Sequence, residues 1–146
     1  YGEFGIGGLH GSVGHGQGGK VLQKRQDICR FHYEQIARLA AALEAIPEGD
    51  GTMLDHTVIV YTSNNGETHH SSGVNWPVLT IGDLGGKLKT SRYFAPGNKE
   101  RDRSKPGYTR LGDLWATLLE AAGQPTKSFG RPVNGVAHAP IASLMV

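Results

Sequence analysis

Two stretches of this chain concentrate side chains able to hold a metal ion or move protons. The first, "TSNNGETHH", occupies 62–70 and sets Asn64, Asn65, Glu67, His69 and His70 close together. Their oxygens and nitrogens are donors that divalent cations accept. Asn-Gly is also a common tight-turn dipeptide, so the same letters equally serve a plain polar turn. The second stretch, "HGSVGH", places His10 and His15 five residues apart within 1–20, a segment holding nine glycines. Glycine at that density makes either a loose tail or a loop whose backbone comes close to something. The two imidazoles favour the loop, although paired loop histidines also occur as ordinary polar surface.

These stretches need elements to position them. Between Leu22 and Ile46 the apolar residues Ile28, Ile36, Leu39, Leu43 and Ile46 recur at helical spacing, and the alanines at 40–42 and 45 raise the propensity. The pattern predicts a helix near 24–46, stopped by Pro47 and Gly49. "TVIVY" (57–61) and the apolar part of "WPVLTIG" (77–81) read as neighbouring central strands, the first buried on both faces. The glycines of "DLGGKLKTSRYF" predict a turn and a short hairpin, and 95–107 reads as polar loop. A second amphipathic helix is expected at 110–122, with Leu111, Leu114, Trp115, Leu118 and Ala122 on one stripe and Gly123 as its cap. A short helix opening at Pro140 is expected in the tail. Helix, strand, strand, helix is an α/β order, and a helix returning antiparallel to a strand would bring 10–15 and 64–70 to one end of the sheet.

The bulk numbers narrow the function classes. A 146-residue chain with 38% apolar and 19% charged residues is one domain's worth of core. Its net charge of +2 is too small to imply nucleic-acid binding, and the basic stretch "KLKTSRYFAPGNKERDRSK" is diluted by acids into a solvated loop. No run approaches the roughly 18 apolar residues of a membrane span. The abrupt opening at Tyr1 reads as the later part of a longer protein.

Other chemically capable residues have structural readings. Cys29, within the first helical pattern, is expected to be buried and unreactive, with Lys24, Arg25 and Arg30 as its nearest basic residues in sequence. His32 reads as a helix-face residue, His56 as a turn cap, and His138 as surface. Trp76 and Trp115 read as core. Arg92 reads as one half of an ion pair rather than an anion-binding group.

The residues also carry a resemblance. "LDHTVIVYTSNNGE" resembles the segment of alkaline-phosphatase-like and sulfatase-like enzymes in which an Asp-His or Asp-Asn pair, just past a strand, ligates the catalytic metal. "LHGSVGHGQGG" resembles their upstream metal loop. From about Leu9 to the C-terminus the chain is similar to an uncharacterised secreted bacterial family of unknown function within that superfamily. The resemblance implies an alkaline-phosphatase-like sheet with flanking helices, of which this chain is the C-terminal portion. It implies a divalent metal, a phosphate or sulfate ester substrate, and a periplasmic or extracellular location.

Carried over residue by residue, Asn64 and Asn65 fall at the ligand pair, His15 at the upstream histidine, and His69 or His70 at a later one. His15, Asn65 and His70 are the primary expected ligands; His10, Asn64 and His69 are secondary. Asn64 stands where an aspartate is usual, and the upstream aspartate position falls on Gly11 or His10. About two negative charges are thereby lost from a site for hard cations, a change that zinc tolerates better than calcium or magnesium. The family nucleophile belongs to the N-terminal half, and neither Ser12 nor Ser63 has a local basis for that role. The competing expectation is a non-catalytic binding or structural protein that kept the fold. If the metal site forms, His15 and His70 nitrogens should lie about 3 to 4 Å apart, since each ligand sits near 2.1 Å from zinc.

Overall fold

The computed structural model describes residues 2, 5, 8, 10–15, 18–63, 75–95, 108–127, 129–132 and 135–146, with the backbone alone for residues 10 and 12. A single π-helical turn, His10–Gly14, precedes helix α1, Gly19–Glu44. The helix starts about five residues before the expected position; Lys20, Leu22 and Gln23 are good helix formers that carry it back toward Gly19. It ends at Ala45, and Pro47 opens a two-residue strand, β1 (Pro47–Glu48), paired with β2 (Gly51–Thr52). The positive φ of 61° falls on Gly49, the first loop residue, as a II′-type hairpin turn requires.

The expected strands appear one or two residues shifted, as β3 (Ile59–Thr62) and β4 (Val78–Ile81), paired antiparallel with Ile59 opposite Ile81 and Thr62 opposite Val78. Their adjacency is as expected; their centrality is not. Among the described residues the sheet has only these two strands, β3 is half-buried throughout, and Leu79 and Thr80 are exposed. Alternation along β3 explains the half-burial. Val58 and Val60 pack on the cluster of Leu88, Leu118 and Ala121, whereas Tyr61 turns to α1. The chain is thus a mixed α/β structure with small antiparallel sheets.

Helix α2, Leu111–Ala121, matches the expected 110–122 closely. The Asp113 carboxylate accepts the Arg110 N–H at 2.7 Å, satisfying a donor at the helix start. At the other end Gly123 has φ 73°; its N–H reaches the Glu120 carbonyl, and the Gln124 N–H reaches Leu119. That pair of bonds is a Schellman cap.

The glycine turn after β4 forms, with Gly85 and Gly86 at positive φ and the Asp83 carboxylate accepting the Gly86 N–H. The hairpin expected beyond it does not. Leu88 instead bridges Met145, Lys89 N–H donates to Leu144, and Val146 N–H donates to Lys87. The chain after the turn therefore pairs with its own C-terminal segment. The tail's short helix is a 3₁₀ turn at Ala142–Leu144, two residues past Pro140.

Helix α1 departs from its expected face. Its inward side runs through Ile28, His32, Ile36, Ala40 and Leu43, and only Ile28 is fully buried. Leu39 and Ile46, expected inward, are 50% and 43% exposed. Cys29 is exposed rather than buried. It lies about 100° around the helix from Ile28, which turns it off the packed stripe. Among the described residues, buried apolar side chains form two separate clusters: Val13 with Ile28 at the head of α1, and Leu88, Leu118 and Ala121 under α2.

Candidate functional site

The head of α1 carries the "HGSVGH" stretch. The last carbonyls of an isolated helical turn have no partners within it. Here Arg25, two turns into α1, supplies them: Nε and Nη2 donate to the Val13 carbonyl at 3.0 and 2.6 Å, and Nη2 donates to Gly14 at 3.2 Å. Val13 itself is buried against Ile28. Lys24 Nζ holds the Gly5 carbonyl at 3.1 Å. The glycine-rich segment is thereby fastened onto the helix, and His15, one residue beyond the clasp, is exposed.

Of the six residues expected as ligands, His15 is the one whose side chain is described. The His10 backbone lies in the π turn; its side chain and all of Asn64, Asn65, His69 and His70 fall outside the described residues. Glu67 does too. Among the described residues no three His, Cys, Asp or Glu side chains gather as a metal cluster. The two stretches do start from different levels of α1. Tyr61, near the end of β3, meets His32 and Tyr33, whereas His15 precedes Gly19. Thirteen residues of helix separate those levels, about 20 Å at 1.5 Å per residue. The eight residues from Thr62 to His70 can span at most about 26 to 29 Å, so about three-quarters of full extension covers the difference.

His32, read as a helix-face residue, lies half-buried on the face of α1 that meets β3. Its Nδ1 lies 3.1 Å from the Tyr61 hydroxyl, with the rings 5.9 Å apart and edge-on. Tyr33 adds a second edge contact to Tyr61 at 5.5 Å. The signal was legible: His32 sits four residues from both Ile28 and Ile36, on their stripe.

A second polar cluster lies under α2, and here the expectation of a surface His138 fails outright. His138 is buried, its Nδ1 3.2 Å from Asp113 Oδ1. The same oxygen accepts the Ala139 N–H at 3.1 Å. The fully buried Thr117 donates its hydroxyl to the Asp113 carbonyl and accepts the Ile141 N–H at 2.8 Å. A carboxylate that orients an imidazole is also a feature of catalytic and metal sites. Here the neighbouring Thr117 hydroxyl has both roles occupied, so it offers no ready nucleophile. The imidazole lies where a side chain on residue 112 would go: a Cβ on Gly112 would stand 2.5 Å from His138 Cγ. This cluster docks the tail onto the helix.

The remaining expectations divide. Asp55, rather than His56, holds the turn before β3: its Oδ2 accepts the Thr52 N–H at 2.7 Å and the Thr52 hydroxyl at 2.9 Å. The backbone and then the hydroxyl bond from Thr52 lower its pKa, with His56 adding slightly and desolvation opposing. Trp115 is half-buried against the α2 cluster as a core residue should be, and its ring lies 6.4 Å from Phe129. Trp76 is half-buried, and its buried indole N–H has no hydrogen-bond partner among the described residues. Arg92 is exposed.

No helix among the described residues is long and apolar enough to cross a membrane. No protein-family model, curated protein or solved structure matches the chain.

Proposed function

We propose that this chain is part of a metal-assisted hydrolase of phosphate or sulfate esters, of the alkaline-phosphatase-like and sulfatase-like kind, working outside the cytoplasm. The observation that carries the reading is the donor-rich "NNGETHH" run directly after β3, joined by an exposed His15 on a fastened loop. His15, Asn65 and His70 are the principal ligands in this reading, supported by His10, Asn64 and His69. These residues would hold a divalent cation, with zinc the best match to imidazole donors, which when bound would supply polarisation of the ester and compensation of the charge developing in the transition state. The residues' own task is to present neutral nitrogens and amide oxygens, His15 from the segment held by Arg25 and the others from the run after β3.

A second reading, a non-catalytic binding or structural protein, is favoured by Asn64 standing where the resemblance expects a carboxylate. Elemental analysis of the purified protein separates the two. The enzyme reading expects close to one bound divalent metal per chain, lost in the His15→Ala/His70→Ala double variant, and hydrolysis of nitrophenyl phosphate or sulfate by the full protein. A metal-free protein with no esterase activity supports the second reading.

A further inference from the structure

We infer that Arg25 is a positioning residue for His15, acting through the backbone of the loop rather than by touching a ligand. The inference rests on the reading of His15 as a metal ligand only for its consequence, not for its geometry. Three hydrogen bonds from one guanidinium end on two consecutive carbonyls, Val13 and Gly14, immediately before His15. Arginine suits this task because its planar fork presents several fixed donors at once, whereas an ammonium is a single mobile point. The hydrophobic contact of Val13 with Ile28 fixes the same segment from the other side. A loop rich in glycine has many conformations to lose, and a histidine on it would hold an ion poorly unless that entropy had been removed in advance. Arg25 and Val13 remove it at the residues adjoining the imidazole.

The test compares wild type with Arg25→Ala and Arg25→Lys. Amide hydrogen exchange is read across 11–15, the His15 ring is followed by NMR, and zinc affinity is measured by titration. In Arg25→Ala, exchange across 11–15 should rise at least tenfold and the His15 ring signals should move toward free-histidine positions. Amides of β3 and α2 should keep their protection, and zinc should bind at least tenfold more weakly. Arg25→Lys should fall between, having one donor group in place of the fork. Should Arg25→Ala not fold, Val13→Ala gives the same reading from the apolar side of the loop. If exchange and ring signals are unchanged in both Arg25→Ala and Val13→Ala, the positioning role is refuted whatever zinc does. If the loop loosens as expected but wild type takes up no zinc, the positioning role stands and the metal reading fails.

Discussion

The Nδ1 of His138 lies 3.2 Å from Oδ1 of Asp113, twenty-five residues earlier, joining the C-terminal segment to the first turn of α2. Asp113 does two jobs: Oδ2 caps the helix through Arg110 N–H, and Oδ1 receives both His138 and Ala139. Replacing it with alanine strands three donors and should cost about 3 kcal/mol, against about 1 to 2 kcal/mol for His138→Ala. Urea denaturation of both single variants and the double variant checks this. The double variant should cost less than the sum, because the two side chains share one bond.

Gly82→Ala should be more damaging than its size implies. Residue 82 has φ 89°, and a Cβ there would sit 2.2 Å from the Thr57 carbonyl oxygen, a backbone atom that cannot swing away. A loss of about 2 kcal/mol or more is expected, read as a lowered urea midpoint. Gly86→Ala, with nothing within 4 Å of the added atom, keeps only the φ penalty and should lose less.

Asp55 gives the stability a definable pH response. Its folded pKa is depressed by the Thr52 bonds, so its contribution is fully present above the unfolded value of 3.8. It is lost as pH falls through the lower, folded value. The stability gap between wild type and Asp55→Asn should therefore be constant from pH 7 to about 5 and close below 3.8. A gap that widens on acidification would show the wrong sign.

Cys29 should react readily. It is exposed on α1, so a maleimide or aromatic disulfide should label the native protein at close to the rate of a small-molecule thiol. Labelling only after denaturant is added would place the thiol in a buried environment instead.

The sequence was most informative where a single local rule decides the outcome. Helix α2 announces itself by period and by Gly123, because the cap glycine has one inexpensive conformation there. The two strands are visible for the same reason, being short, β-branched and bounded by turn formers. What escaped was whatever depends on a distant partner. "GVAHAPI" contains nothing that points to Asp113, and only the folded chain puts His138 beneath α2. The outward turn of Leu39 and Cys29 was hidden too, since periodicity defines a stripe without saying how much of it will be covered. The candidate site was legible as a composition of donors, and its fastening by Arg25 was not, because a guanidinium bound to carbonyls leaves no pattern in the letters.

Among the described residues the two apolar clusters, Val13 with Ile28 and the Leu88–Leu118–Ala121 group, are separate. Such an arrangement divides the molecule into unequal cooperative units. The larger, tied by Thr117, Asp113 and the Leu88–Met145 bridge, sets the free energy of global unfolding. The smaller has, among the described residues, Val13 against Ile28 and the Arg25 and Lys24 hydrogen bonds, and should open at a lower free energy. His15 adjoins the smaller cluster, so its setting depends on Val13, Ile28 and Arg25 rather than on the core under α2.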